Sequence, residues 1–153
     1  MTYSLKGLPQ KSIHDMDHDC SHEIVRYYEQ GQIVRQEKDT NKDNKPDQIT
    51  LFKDSKISQH QKDTNFDDQF DDISTFIHGK INKREKDTNT DGSMDAFYFY
   101  DNNERIKEIR EDTKFTGTID RKNIIKMARS RPYMMIIIQT TFLKPSVTTK
   151  MEK

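Results

Sequence analysis

Three short segments of the chain place oxygen-bearing side chains at positions one, three, five and nine. They read DTNKDNKPD, DTNFDDQFD and DTNTDGSMD. Alternate side chains of a tight loop turn toward one centre, where carboxylate and amide oxygens suit Ca2+, which takes about six to eight oxygen ligands. Calcium is therefore the predicted cofactor. The predicted ligands are Asp39, Asn41, Asp43 and Asp47; Asp63, Asn65, Asp67 and Asp71; and Asp87, Asn89, Asp91 and Asp95.

The sixth position of each segment agrees with this interpretation. A calcium loop of this kind bends sharply there and favours a left-handed backbone, which Asn, Asp and Gly adopt most readily. The occupants are Asn44, Asp68 and Gly92, and in the third segment the carbonyl of Ser93 is the expected backbone ligand. Ligand spacing and turn chemistry therefore indicate the same structure.

An alternative is that the segments are only polar turns, because Asp, Asn and Thr close turns through local hydrogen bonds. A turn does not need a carboxylate or amide at every one of these positions, however. Clustered like charges without a counter-ion would also repel one another. We favour calcium binding, and a metal-independent protein-interaction module is the alternative.

The same register continues toward both ends of the chain. Twenty-four residues before the first segment, the chain again has acids at the ligand positions, and these are weaker candidates for calcium. The same stretch contains the motif H-x3-H-x-C-x-H, whose imidazole and thiolate groups would suit zinc or copper instead. In DTKFTGTID, at 112–120, Lys114 and Thr116 occupy two of the ligand positions, so we expect no metal there. The weaker ligands are Asp15, Asp17, Asp19 and Glu23, and their rivals are His14, His18, Cys20 and His22.

A 24-residue repeat places strands between these segments. Each unit has a β-branched and aromatic run, a short break and a second run, which predicts a β-hairpin. The fold class is therefore all-β, with tandem 24-residue hairpins forming an extended antiparallel meander or an open solenoid. We expect equivalent residues to stack in continuous ladders when hairpins pack side by side. One such column is Val25, Ile49, Ile73 and Phe97.

The predicted organisation has three parts. Residues 1–22 form a partial N-terminal repeat unit, 23–120 four tandem hairpin and calcium-loop repeats, and 121–153 a basic tail that either caps the array or is disordered. Within the tail, 124–126 (IIK) could add one last strand. Of 26 basic and 26 acidic residues, eight basic and one acidic lie in the tail, so the preceding chain has a net charge of −7.

Composition limits the remaining function classes. Only 31% of the residues are hydrophobic and 34% are charged, so a bound ion, repetition or a partner must add stability. The run at 133–143 is too short to span a bilayer, and the N-terminus lacks the apolar run of a signal peptide. No nucleophile–base pair or phosphate-binding glycine loop is present, so we expect no enzyme. The tail lacks the interleaved aromatics of a nucleic-acid binder.

The segments resemble the D-x-[DN]-x-D-G-x-x-D calcium loop of EF-hands, dockerins and thrombospondin type 3 repeats. The hairpins, with Y-x-x-G-x-I at 28–33, are similar to MORN-variant repeats of bacterial surface and envelope proteins. The resemblance implies calcium binding in a structural, adhesive or interaction role, with another protein or a cell-surface component as partner. Position twelve holds Thr50, Ser74 and Tyr98 in place of the EF-hand glutamate. We therefore expect weak sites, of about 10⁻⁴ to 10⁻³ M, which favour an extracellular or cell-envelope location.

Overall fold

The computed structural model describes residues 2–3, 7–16, 18, 22–129 and 134–143. These residues form one antiparallel sheet of twelve strands, in which the order in the sheet is the order in the chain. The all-β prediction is confirmed, and of the two predicted forms the sheet is the extended meander. The strands are β1 (Thr2–Tyr3), β2 (Pro9–His14), β3 (Ile24–Glu29), β4 (Gln32–Lys38), β5 (Gln48–Lys53), β6 (Lys56–Lys62), β7 (Asp72–Ile77), β8 (Lys80–Lys86), β9 (Ala96–Tyr100), β10 (Ile106–Glu111), β11 (Arg121–Arg129) and β12 (Met134–Phe142).

Two kinds of connection alternate along the sheet. Two-residue turns close the hairpins β3–β4, β5–β6 and β7–β8, and the acidic segments join one hairpin to the next. The turn at Gln30 and Gly31 has φ values of 51° and 80°, and that at His78 and Gly79 has 54° and 83°. Positive φ at both central residues is the type I′ turn, whose twist matches that of the flanking strands. Because consecutive strands are antiparallel, all the acidic loops lie at the same end of the strands.

Each of the hairpins β3–β4, β5–β6, β7–β8 and β9–β10 contains one residue more on its second strand than on its first. Tyr27 pairs with Arg35 and Tyr28 pairs with Ile33, so Val34 has no partner residue in the register. The same β-bulge recurs in the next three hairpins. A bulge strengthens the local right-handed twist of the strand pair, so the twist is repeated at regular intervals.

The predicted ladders of equivalent residues are not formed. Val25 pairs with Glu37, and Glu37 pairs with Ile49, so a polar residue separates two members of the column. Gln61 and Glu85 separate the following members in the same way. Equivalent residues therefore lie two strands apart, about 9.6 Å. The prediction was wrong because it stacked whole hairpins and left out the second strand of each.

Burial is correspondingly unusual. Among the described residues, the buried apolar side chains are Ile49 and Ala96, whereas ten buried residues are polar or charged. A single sheet has no second layer to cover its faces, so side chains of neighbouring strands cover one another. The Lys83 Nζ atom lies 5.1 Å from the ring centre of Phe97, and the Arg110 Cζ atom lies 4.7 Å from that of Phe99. The sheet is thus stabilised by cross-strand pairs of cations and aromatic rings.

The part of the sequence beyond residue 120 continues the sheet. β11 pairs with β10, and β12 pairs with β11 along nine successive residue pairs. The predicted strand at 124–126 lies within β11. Residues 130–133 and 144–153 lie outside the described part of the chain.

Candidate cation-binding loops

Four loops lie side by side at one end of the strands, at 39–47, 63–71, 87–95 and 112–120, and the described residues of a fifth, 15, 16, 18, 22 and 23, lie between β2 and β3. A backbone hydrogen bond joins each described neighbouring pair, because the N–H at position one donates to the carbonyl of position nine in the preceding loop. These bonds are Asp39 to Glu23 (3.0 Å), Asp63 to Asp47 (2.8 Å), Asp87 to Asp71 (2.9 Å) and Asp112 to Asp95 (2.8 Å). The loops are therefore in register with one another.

The acid at position one closes the first half of its loop. In the first predicted site, Asp39 accepts the N–H of Lys42 at 2.7 Å and the N–H of Asn44 at 2.9 Å. In the third, Asp87 accepts the N–H of Thr90 at 2.7 Å and that of Gly92 at 2.8 Å. Local acceptors of this kind replace the ladder bonds that a loop cannot make.

The acid at position nine closes the second half. Asp71 accepts both the N–H and the hydroxyl of Thr64, each at 2.7 Å, and Asp95 makes the equivalent bonds to Thr88. In the three predicted sites the acids at position nine are nearly inaccessible, with Asp47 only 4% exposed. A buried carboxylate is tolerated because these donors satisfy it.

The side chains at positions three and five are hydrogen-bonded to each other at the surface. In each predicted site the Asn amide nitrogen donates to the Asp carboxylate, at 3.0 Å from Asn41, 2.9 Å from Asn65 and 2.8 Å from Asn89. The side-chain hydrogen bond from Asn89 and the backbone N–H of Ser93 hold the pKa of Asp91 below its usual value. This acid is therefore ionised and available to a cation at neutral pH.

The first predicted site brings its carboxylates closest together. Oxygen atoms of Asp39, Asp43 and Asp47 all lie within 4.8 Å of one another, and among the described residues this is the one such group of three acids. Three donors, from Thr40 and Asn41, converge on Oδ2 of Asp47, whereas in Asp71 the Thr64 bonds are divided between the two oxygens. Oδ1 of Asp47 therefore lies outside these turn-closing bonds.

The loop at 112–120 shows which acids the turn itself needs. Asp112 accepts the N–H of Thr116 at 2.7 Å and that of Thr118 at 2.9 Å, and Asp120 accepts the hydroxyl of Thr113 at 2.9 Å. Positions one and nine thus also close this loop, although Asp112 accepts from positions five and seven where Asp39 and Asp87 accept from positions four and six, and position five is Thr116. The turn does not require a carboxylate at position five.

The backbone conformation at position six is as predicted, and position four was missed. Asn44, Asp68 and Gly92 have φ values of 71°, 70° and 88°. Position four is also left-handed, including Phe66 at 61° and Thr90 at 60°. Such residue types are unfavourable there, so no sequence signal marked these positions. Their conformation follows from the N–H bond to the acid at position one.

Relieving this strain is expected to stabilise the protein. Phe66 is 50% exposed, so Phe66→Asn removes little buried surface while placing a residue that tolerates positive φ. We expect the free energy of unfolding in urea to rise by about 0.5–1 kcal/mol. Ile77→Asn is the control, since Ile77 is 56% exposed and its backbone is not left-handed. A gain of the same size in both variants would contradict the strain explanation.

The N-terminal loop repeats the same contacts where it is described. Asp15 accepts the N–H of His18 at 2.6 Å, and Glu23 accepts that of Met16 at 2.8 Å. The other two weaker candidates, Asp17 and Asp19, lie outside the described residues, as does Cys20. Among the described residues, the three histidines of the alternative site do not form a metal-ligating group.

Two lysines of the loop at 39–47 contact its neighbours, which the sequence did not predict. Lys45 forms an ion pair with Asp68, and the Nζ atom of Lys42 lies 3.9 Å from Oε1 of Glu23. Both Lys45 and Asp68 are exposed, so their pair adds little stability. These contacts nevertheless place a lysine ammonium group between the loop at 39–47 and each of its two neighbouring loops.

Comparisons with known proteins identify no family. The sequence matches no protein-family model and no curated protein. Two solved structures show weak similarity: S. aureus TarM G117R in complex with fondaparinux, alpha-GlcNAc-glycerol and UDP, at 16% identity, and a crystal structure of TarM, at 18% identity. Both have a TM-score of 0.32, and each match covers 76% of this chain and 20% of the TarM chain. The chain thus spans about a fifth of TarM, and similarity this weak does not indicate function. Separately, the described residues include no helix that could cross a membrane.

Proposed function

We propose that this protein is a calcium-binding repeat protein with a structural, adhesive or interaction role. The observation that carries the proposal is the approach of Asp39, Asp43 and Asp47 oxygens to within 4.8 Å. Hard carboxylate oxygens at this spacing, without sulfur or imidazole among them, suit Ca2+ better than a transition metal. Asn41 completes the first ligand set, and the proposed sets of the next two loops are Asp63, Asn65, Asp67 and Asp71, and Asp87, Asn89, Asp91 and Asp95.

The excess of oxygen ligands supports a cation over a plain turn. Positions one and nine are sufficient for the turn at 112–120, where position five is Thr116. The exposed carboxylates of Asp43, Asp67 and Asp91 each accept the N–H of position seven, but the loop at 112–120 closes without a carboxylate at that position. They add negative charge beside two other acids, an arrangement that a bound cation would compensate.

In this proposal the acids of each loop have overlapping tasks. Those at positions one and nine hold the loop closed and also belong to the ligand set, to which position five adds an exposed carboxylate. Bound calcium supplies positive charge that neutralises these carboxylates. Because each loop joins two hairpins, a ligated loop fixes one hairpin against the next, and binding energy adds to folding stability.

The test combines calcium titration calorimetry with thermal unfolding, using Asp43→Asn. Asp43 is exposed, so in chelator we expect the free energy of unfolding of this variant to lie within about 0.5 kcal/mol of the wild-type value. With calcium about tenfold above Kd, each occupied site should add about 1.4 kcal/mol, and the variant should lose one site. The control is Asp54→Asn, the same change in the exposed β5–β6 turn, which lies at the opposite end of the strands.

A metal-independent interaction module is the second candidate. It is favoured by the loop at 112–120, which has the same left-handed backbone at positions four and six with Lys114 at position three. Identical unfolding curves in chelator and in millimolar calcium, with no heat of binding, would support this candidate and contradict ours. That the protein is not an enzyme remains a prediction.

A further inference from the structure

The two outer edges of the sheet differ in how they are protected. At the N-terminal edge, β1 has two residues and a register shift, and β2 begins at Pro9. Short strands, irregular register and proline all prevent another chain from pairing with a sheet edge. At the opposite edge, β12 has nine residues, MMIIIQTTF, with no charge, no proline and no glycine.

The outer side of β12 is suited to pairing. Its inner side pairs with β11 through nine residue pairs without a register shift, from Arg129–Met134 to Arg121–Phe142. Within the described residues, no strand pairs with its outer side. Ile138 is 61% exposed and Phe142 is 74% exposed. An unprotected, β-branched edge of this length presents a row of backbone donors and acceptors to another strand.

We propose that β12 is a dimerisation edge that pairs antiparallel with β12 of a second copy of this chain. A second copy fits because the strand is uncharged throughout, so self-pairing places no like charges opposite one another. Full overlap of nine residues puts the two-fold axis at Ile138, the central residue, and closes the assembly as a dimer. A head-to-tail arrangement would instead require the protected N-terminal edge.

The basic charge of the neighbouring strand does not oppose this arrangement. β11 carries Arg121, Lys122, Lys126 and Arg129. In the dimer the two β11 strands are separated by both β12 strands, a distance of about 14 Å. That exceeds the screening length of about 8 Å at physiological ionic strength. The dimer constant is therefore expected to depend only weakly on salt.

The test is sedimentation equilibrium of the full chain over a range of concentrations, in chelator and in calcium. The wild type should approach twice the chain mass of 18.2 kDa in both. Ile138→Lys places two cations opposite each other and should weaken the dimer at least tenfold. Ile77→Lys, the same change at a 56% exposed residue of β7, should leave it unchanged.

Two proline variants give a second measurement. Backbone N–H groups of successive residues in a strand point to opposite edges, so one of Gln139→Pro and Thr140→Pro removes an outward donor while β11 keeps its bonds. That variant should keep the β-sheet spectrum of the wild type in circular dichroism and sediment as a monomer. A wild type that is monomeric at every concentration would overturn the proposal, as would a polymer that grows with concentration, or equal effects of Ile138→Lys and Ile77→Lys.

Discussion

Replacing Asp72 with alanine is expected to lower the free energy of unfolding by about 2–3 kcal/mol at neutral pH. Asp72 is 6% exposed, and its Oδ1 accepts the Nε–H of Arg84 at 2.7 Å while its Oδ2 accepts from the same guanidinium. The Nζ atom of Lys86 lies 3.8 Å from Oδ2 of Asp72. Removing the carboxylate from a fully buried pair costs about 3–5 kcal/mol. The cost is lower here because the Arg84 side chain is 39% exposed and can reach water.

The pH dependence of this loss identifies the ion pair as its cause. Burial raises the pKa of Asp72, but the hydrogen bond and charge of Arg84, together with the charges of Lys86 and Lys62, outweigh burial and hold the pKa below its usual value. The unfolded chain has a pKa of about 3.9, so the stabilisation is fully present above that pH and is lost as pH falls through the folded value. Urea denaturation from pH 7 to pH 3 measures it, as the difference between wild type and variant.

The expected difference is constant between about pH 7 and pH 5 and shrinks below about pH 4. Asp54→Asn provides the comparison, because Asp54 is exposed in a hairpin turn and should change stability by less than about 0.5 kcal/mol. A difference for Asp72→Ala that stays unchanged to pH 3 would show that packing, rather than the ion pair, accounts for the loss.

Asp71→Ala is expected to cost about 2 kcal/mol in chelator, where no calcium is bound. Its carboxylate holds both the N–H and the hydroxyl of Thr64 at 2.7 Å, and these bonds to a charged acceptor are worth about 1.5–3 kcal/mol. The loop lies in the middle of the sheet, so its opening separates hairpins on either side. Urea denaturation in chelator measures the loss.

A double-mutant cycle with Thr64→Val assigns the effect to this contact. We expect the two changes together to cost about 1 kcal/mol less than their sum, because they remove the same side-chain bond. Asp67→Asn is the control within the loop, since Asp67 is exposed and should be nearly neutral in chelator. If Asp71→Ala cost no more than Asp67→Asn, the closing role of position nine would be wrong.

Local sequence determined the repeat, the strands and the loop turns. Each of these depends on residues close together in the chain: alternating β-branched and aromatic residues make the strand, and acceptors at fixed spacing reach back to nearby N–H groups. The left-handed backbone at Asn44, Asp68 and Gly92 was predictable for that reason. The N-terminal extension of the register was also readable, and Asp15 and Glu23 make the corresponding bonds.

The tertiary structure alone decided which residues become neighbours across the sheet. Glu37 lies between Val25 and Ile49 because each hairpin contributes two strands, and the pairing of Lys45 with Asp68 depends on how two loops align. The bulge at Val34 is defined only by how β3 pairs with β4, where Tyr27 lies opposite Arg35 and Tyr28 opposite Ile33. These features need contacts between distant segments, which periodicity cannot specify. The same holds for the approach of Asp43 to Asp39 and Asp47, since spacing permits it and the folded loop determines the distance.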